Sequence, residues 1–352
     1  ASGNLTLRAE TTVKSNFQMR PPNFDFMRRA LALAERGRFS VSPNPMVGCV
    51  IVRDDEVIAE GWHRRAGDAH AEVEALRNCA DPRGATMYVT LEPCAHFGRT
   101  PPCVDAMIAA GISRVVIAMR DPHGVAAGGI AKLEAAGIET EVGVLEEEAR
   151  RLNEVFVHAV THDTPFVVLK AGMTLDGKLA THIRDSKWIT SPGAREKSLE
   201  LREQYDAILA GGGTVRDDNP MLTRRLGLAS TPWTRIILDR SRVAPPDAIV
   251  FTDGGTTLHI TEDVDLAQLL RDLHSRGIRS LLVEGGSAIH AEFLRRGLWQ
   301  KLIVFVAPLV VGGDGPSIYS GEPIARLANA SRFRFDSAEL AGDDVMLTAY
   351  AR

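Results

Sequence analysis

Apolar residues recur at helical spacing across Asp25–Arg36, where Phe26, Ala30, Leu31 and Leu33 share a face and Gly37 follows the end. Two apolar runs come next, Met46–Val52 and Val57–Trp62, and the polar stretch Arg53-Asp54-Asp55-Glu56 between them predicts a hairpin. A helix is expected over about Ala69–Cys79, a strand over Thr86–Leu91, a helix from about Pro102 to Ala110 stopped by Gly111, and a strand over Arg114–Met119. Helix Ile130–Ala136, ended by Gly137, and strand Ile138–Val144 continue the alternation, which implies one mixed sheet covered by helices on both faces. A charged helix over about Leu145–Thr161 then runs into His162-Asp163-Thr164-Pro165, where a change of domain is expected. Residues 19–163 would form the first domain and 164–352 the second, with the polar, aperiodic residues 1–18 a tail outside the fold.

The second half predicts strands at Phe166–Ala171, Ala207–Ala210, Arg235–Leu238, Ala248–Phe251, Thr257–Ile260, Ser280–Val283, Leu302–Pro308 and Val345–Tyr350. Helices are expected at Pro192–Gln204, Leu266–Arg276 and Ala288–Arg296. No period of 20–50 residues repeats, which excludes a solenoid. The 352 residues suffice for two ordinary domains, and 45% hydrophobic with 24% charged residues is a globular balance. A net charge of −4 without a run of Lys or Arg argues against a nucleic-acid partner. No apolar run approaches the roughly 20 residues that span a bilayer, and no secretory signal is visible, so a membrane partner is not expected and the cytoplasm is.

Chemistry enters with His70-Ala71-Glu72, Pro93-Cys94 and Cys103. One imidazole and two thiolates suit tetrahedral Zn²⁺, and three protein ligands leave a fourth position for water. The arrangement follows the H-x-E…P-C-x-x-C signature of zinc deaminases, with eight residues rather than two between the cysteines. His70 and Glu72 are expected in the first turn of one helix and Cys103 in that of another, where the helix dipole favours thiolate. A structural zinc site closed by His96 or His63 is the alternative. Glu72 argues for the catalytic one, because an activated water needs a proton shuttle and a closed site does not. Cys49 and Cys79 read as small hydrophobes, and a reducing compartment fits better than disulfides.

The second half offers weaker signals. Gly211-Gly212-Gly213-Thr214 follows a strand and Glu284-Gly285-Gly286-Ser287 joins a strand to a helix; each is either a simple turn or a phosphate cradle, and neither is G-x-G-x-x-G. Lys170 in an apolar strand either snorkels at an edge or points into a site. Asn44 in Pro43-Asn44-Pro45, Asp176-Gly177 and Asp217-Asp218-Asn219-Pro220 read as turns by default, although the two aspartates could also meet ribose hydroxyls. Arg202 and Arg225 are either solvated charges or anchors for a substrate phosphate.

Longer stretches carry a resemblance. They are Pro43-Asn44-Pro45-Met46-Val47-Gly48, Gly61-Trp62-His63-Arg64-Arg65-Ala66-Gly67 with His70-Ala71-Glu72, and Glu92 through Cys103 with its long cysteine spacing. In the second half they are Lys170 through Lys178, Trp188-Ile189-Thr190-Ser191, Gly213 through Pro220 and Val283-Glu284-Gly285-Gly286. From about Phe24 onward the chain resembles the bacterial bifunctional riboflavin-biosynthesis deaminase–reductases. The resemblance implies an α/β chain: a cytidine-deaminase-like three-layer α/β/α domain followed by a dihydrofolate-reductase-like α/β domain.

It further implies two consecutive reactions on a phosphorylated pyrimidine. Zn²⁺ on His70, Cys94 and Cys103, with Glu72 as proton shuttle and Asn44 on the pyrimidine edge, would remove the 2-amino group. NADPH would then reduce the ribosyl group to ribityl, with Gly172, Trp188, Thr214, Asp218, Gly286 and Ser287 at the dinucleotide and Arg240 at its 2′-phosphate. Ser186, Arg202, Leu222, Arg225 and Glu284 would hold the substrate, the arginines at its phosphate, and Lys170 would polarise the reacting sugar oxygen or imine. A homodimer through the reductase domain is also implied. The chain departs from the family at Asp121–Gly129, which lacks the second proline and regular G-x-G of D-P-x-P-x-V-x-G-x-G, and at Gly172-Met173, where Ala and Ser are commoner. The rival readings are a tRNA or other nucleic-acid base deaminase, opposed by the acidic charge balance, and a metal-stapled binding protein with a degenerate second domain.

Overall fold

A computed structural model describes residues 22–97, 101–124, 128–321 and 323–351. The expected tail 1–18, residues 98–100 of the cysteine loop and residues 125–127 of the divergent loop lie outside the described residues. The first unit runs α1 (Pro22–Glu35), β1 (Gly48–Arg53), β2 (Glu56–Trp62), α2 (Ala71–Arg77), β3 (Thr86–Val89), α3 (Cys103–Ala109), β4 (Arg114–Ile117), α4 (Gly129–Ala135) and β5 (Glu139–Val142). Its sheet has the order β2-β1-β3-β4-β5, with β1 antiparallel to both neighbours and β3, β4 and β5 parallel.

Burial explains the layering. Every residue of β1 from Gly48 to Val52 is buried, which requires cover on both faces of the sheet. On one side α1 inserts Met27 and Ala30, and on the other Ala71 and Ala75 of α2 join Met107 of α3 and Leu133 of α4 in the same core. α1 sits so close to β1 that a Cβ at Gly48 would lie 1.9 Å from the Ala30 carbonyl oxygen, so no side chain fits there.

The expected single helix over Leu145–Thr161 is two, α5 (Glu146–Leu152) and α6 (Glu154–Thr161). The break falls at Asn153, whose buried amide pairs with the backbone of Met46 and whose own backbone leaves helical geometry at φ −101°, ψ 24°. α6 serves both units: Phe156 and Val157 pack on the first core, and Val155 packs on a core of the second.

The second unit runs β6 (Phe166–Thr174), α7 (Pro192–Gln204), β7 (Ala207–Gly211), α8 (Gly212–Asp218), β8 (Thr234–Leu238), α9 (Ile249–Thr252), β9 (Thr257–Ile260), α10 (Leu266–Ser275), β10 (Ser280–Val283), α11 (Ser287–Arg296), β11 (Lys301–Ala307), β12 (Phe333–Ala341) and β13 (Asp344–Ala351). The eight strands are ordered β12-β13-β11-β6-β10-β7-β8-β9; the six from β11 to β9 are parallel, and β13 and β12 add an antiparallel edge.

Three expectations fail here for local reasons. Ala248–Phe251 is not a strand but the start of the one-turn helix α9, which buries Val250 against Ile208 and Val215 and donates its Ile249 N–H to Asn219 Oδ1 at 2.9 Å. Four apolar residues carry too little periodicity to separate the two forms. β12 was not expected at all, because its exposed positions and its register shift between Phe335 and Ser337 erase the alternation. The Gly212–Asp218 segment, read as a glycine cluster that is either a simple turn or a phosphate cradle followed by an aspartate turn, is the helix α8, so the glycines open a helix and Asp217-Asp218 close it.

Two histidines make the fold sensitive to acid. Desolvation, reinforced by His162, holds half-buried His158 of α6 at about 4, and desolvation holds buried His290 of α11 at about 4, against an ordinary 6.5. Since the unfolded chain takes up these protons first, their contribution is fully present above pH 6.5 and is lost as the pH falls toward 4. The urea midpoint is therefore expected to be lower at pH 5 than at pH 7, and His290→Asn should flatten that slope. Equal slopes in the two proteins would remove His290 from the account.

Candidate active sites

The first site assembles at helix starts. His70 precedes α2 in an extended conformation (φ −69°, ψ 161°), Cys103 opens α3, and Cys94 lies in the loop after β3. His70 Nδ1 lies 3.1 Å from Cys103 Sγ and 3.6 Å from Cys94 Sγ, and the Cys103 N–H points at Cys94 Sγ at 3.3 Å. All three ligand atoms fall within 4.8 Å of one another, and among the described residues no fourth His, Cys, Asp or Glu joins them.

Both histidines that could have closed the cluster are elsewhere. His96 is exposed. His63 is buried with both nitrogens engaged, Nδ1 3.1 Å from the Ala69 carbonyl and Nε2 3.0 Å from Asn44 Nδ2. Burial lowers its basicity, so the neutral ring donates through Nδ1 and accepts from the Asn44 amide. His63, a possible closing ligand in the structural-zinc alternative, instead supports Asn44. A histidine ending a strand carries no local sign of a partner nineteen residues upstream.

The electrostatics suit a soft divalent cation. The thiol of Cys103 donates to Cys94, and together with His70 this brings Cys94 down to about 4, while the same contact and burial push Cys103 up. Two sulfurs sharing one proton beside an imidazole nitrogen are a donor set that Zn²⁺ completes by replacing that proton. Glu72, on the first turn of α2, is 3% exposed. Desolvation pushes its carboxyl above the usual range, against the pull of His70. A buried carboxyl of raised basicity next to a three-donor cluster can hold and release protons there.

The second site is a cleft of about 980 Å³ along the C-terminal ends of the parallel strands of the larger sheet, where ligands bind in open α/β sheets. Of the residues expected there, Lys170, Gly172, Ser186, Thr214, Asp218, Arg240, Glu284, Gly286 and Ser287 line it. Lys170 Nζ lies 3.7 Å from Glu284 Oε2, and Arg202 grips the same carboxylate with Nε and Nη2 at 2.8 and 2.9 Å. Burial alone would raise Glu284, but the two cations outweigh it and hold the carboxyl at about 2.

Four expected residues, Arg202, Leu222, Arg225 and Trp188, are not in the lining. Arg202 stands behind Glu284, its fork already occupied. Leu222 is 2% exposed, packed with Ile208 and Val215, and its carbonyl accepts from Trp233 Nε1 at 2.9 Å. Arg225 is exposed and its N–H donates to Glu203 Oε1 at 3.1 Å. Trp188 is 69% exposed, with the Arg195 guanidinium 4.7 Å above its ring. Arg240 pairs with Asp263 at 3.2 Å at the solvent edge of the cleft. The unusual Gly172 has a packing reason: a Cβ there would lie 2.8 Å from Thr190 Cγ2.

Fold and site together define a two-part α/β enzyme, a zinc deaminase unit joined to a nucleotide-type reductase unit. The profile of the "Cytidine and deoxycytidylate deaminase zinc-binding region" matches residues 22–119, and that of the "RibD C-terminal domain" matches residues 165–347. The riboflavin biosynthesis protein RibD of Escherichia coli is 42% identical over 357 residues, spanning 92% of this chain and 97% of its own. That of Bacillus amyloliquefaciens is 40% identical over 352 residues, 92% and 95% respectively. Among solved structures, the Thermotoga maritima diaminohydroxyphosphoribosylaminopyrimidine deaminase/5-amino-6-(5-phosphoribosylamino)uracil reductase superposes with a TM-score of 0.87 at 39% identity, covering 94% of this chain and 99% of that one. Acinetobacter baumannii RibD gives 0.86 at 36% identity, again 94% and 99%. The chain belongs to the RibD family of bifunctional riboflavin-biosynthesis proteins.

Proposed function

We infer that this chain catalyses two consecutive steps of riboflavin biosynthesis. It hydrolyses the 2-amino group of 2,5-diamino-6-(5-phosphoribosylamino)pyrimidin-4-one, then reduces the ribosyl side chain of the product to ribityl with NADPH. The observation that carries the reading is the convergence of His70 Nδ1, Cys94 Sγ and Cys103 Sγ beside buried Glu72.

His70, Cys94 and Cys103 hold the metal. Bound Zn²⁺ supplies Lewis acidity that makes water nucleophilic near neutral pH, and bound NADPH supplies a hydride for the sugar C1. Glu72 would move two protons in turn: one from the attacking water to the ring nitrogen, and then the one left on the new hydroxyl to the departing amine, which leaves as ammonia as the carbonyl forms. Asn44, its Nδ2 committed to His63, keeps Oδ1 to accept from the pyrimidine edge. In the second cleft Gly172, Thr214, Asp218, Gly286 and Ser287 seat the dinucleotide with Trp188 at its rim, and Arg240 meets the 2′-phosphate. Lys170 polarises the sugar oxygen or imine, and Glu284 keeps it oriented. Ser186 stands on the substrate side; the family resemblance would add Leu222, Arg202 and Arg225, the arginines toward the phosphate, but none of these three lines the cleft in this structure, and Arg202 acts there through its grip on Glu284.

The division of labour falls at 163/164, the compartment is the cytoplasm, and the assembly is a homodimer through the reductase unit. No helix among the described residues is long and apolar enough to cross a membrane. Stripping the metal from the intact chain with a chelator is expected to abolish ammonia release from the diaminopyrimidinone. NADPH oxidation with the deaminated substrate should persist. Deamination that survives complete metal removal would contradict the reading.

A further inference from the structure

The loop that presents Asn44 belongs to the smaller sheet's unit, yet it is anchored to the larger one, directly on one flank and through the start of α6 on the other. Two residues before Asn44, Ser42 Oγ donates to Asp206 Oδ1 at 2.8 Å. Asp206, just ahead of β7, is fixed in turn: its Oδ2 accepts from the N–H groups of Arg279 and Ser280 at 2.9 and 3.0 Å and from Ser280 Oγ at 3.1 Å. Further back, Arg38 Nη1 donates to Gln204 Oε1 and the Ser230 N–H donates to the Phe39 carbonyl, both at 3.3 Å.

Two residues after Asn44, Met46 is paired through both backbone groups. Its N–H donates to Asn153 Oδ1 at 2.8 Å, and its carbonyl accepts from Asn153 Nδ2 at 2.9 Å. Asn153 is 2% exposed, so this pairing is shielded from competing water. Its neighbour Glu154 is held from the larger sheet, Oε1 by Lys301 Nζ at 2.7 Å and Oε2 by the Tyr350 hydroxyl at 2.6 Å. Lys301 opens β11 and Tyr350 lies near the end of β13. Both flanks of Asn44 are therefore tied to the reductase framework. The Asn44 side chain itself touches His63 of its own unit.

We propose that the reductase unit braces the pyrimidine-contacting loop of the deaminase, with Ser42, Asn153 and Glu154 as positioning residues that set Asn44 through Asp206, Lys301 and Tyr350. The proposal rests on the reading of Asn44 as the pyrimidine contact. A loop pinned on both sides of its contact residue loses less freedom when substrate arrives, so the brace contributes to binding rather than to the chemical step. A contact made equally in ground state and transition state appears in KM and leaves kcat unchanged.

The test uses the full-length, zinc-loaded chain and follows ammonia release and NADPH oxidation in the same preparations. Losing a hydrogen bond to a charged acceptor, Ser42→Ala is expected to raise the deaminase KM by about five- to tenfold, with kcat within about twofold. Glu154→Gln should raise it in the same direction, Ser42→Thr should restore it, and reductase constants should stay put. If Asn44→Ala raises KM but neither Ser42→Ala nor Glu154→Gln does, the brace is overturned and the Asn44 contact stands. If Asn44→Ala leaves KM unchanged, the contact itself is wrong and the brace falls with it. A parallel drop in kcat and in reductase activity would mark a general folding role and overturn the positioning one.

Discussion

Glu72→Gln is expected to abolish deamination while leaving the metal in place and the reductase running. The substitution keeps the shape of the side chain and removes its ability to carry a proton. Glu72 is two residues from His70 on the first turn of α2, but its carboxylate is not part of the three-donor cluster, so zinc content should be unchanged. Its burial is what makes the effect large: at 3% exposure, bulk water does not readily replace it as the proton carrier. Removing a positioned general acid–base group costs about 10²- to 10⁴-fold in rate, and ammonia release should fall into that range. Reduction depends on residues of the other sheet and should be unaffected. Residual deamination within tenfold of the parent would sink the proton-shuttle role.

The mirror-image experiment is Lys170→Met. Lys170 reaches from the middle of β6 toward Glu284 and is 16% exposed at its side chain, so it is not a solvated surface charge. Methionine keeps most of the stem, and Glu284 keeps the bidentate grip of Arg202, so no buried carboxylate is left unpaired. What disappears is the cation that would face developing charge on the sugar. Loss of one such stabilising group costs about 10²- to 10³-fold in kcat, and NADPH oxidation with the deaminated substrate is expected to drop by that much while deamination continues. Reduction within about threefold of the parent, a small fraction of the loss such a group carries, would assign Lys170 a packing role only.

What could be read along the chain, and what could not, divides by the range of the interactions. His70, Cys94 and Cys103 were legible because each is marked locally by spacing, and His70 and Cys103 also by a helix that starts there. Lys170 and Glu284 were legible as oddities, a charge inside an apolar strand and a carboxylate at a glycine junction; that they form one cluster with Arg202 was not, since β6, α7 and β10 meet only through the sheet order. His63 and Asn153 escaped for the same reason. Each acts through a partner far away in sequence, Asn44 and Met46, and neither disturbs the apolar pattern around it.

The edge strand β12 escaped because exposed positions are free to be polar or apolar, as Phe335 and Leu340 at 68% and 79% exposure show. Leu222 and Trp188 are the opposite case: their expected roles came from resemblance alone, and the lining of the cleft does not include them; nor does it include Arg225, whose charge left a solvated residue and a phosphate anchor equally open.

The central claim is that one imidazole and two thiolates hold the metal and that no fourth side chain does. Zinc-edge X-ray absorption on the loaded protein reads this directly. Two sulfurs at about 2.3 Å and two light atoms at about 2.0–2.1 Å are predicted, with outer-shell scattering from a single imidazole. Scattering from two imidazoles or from a third sulfur would close the coordination sphere with protein and contradict the account.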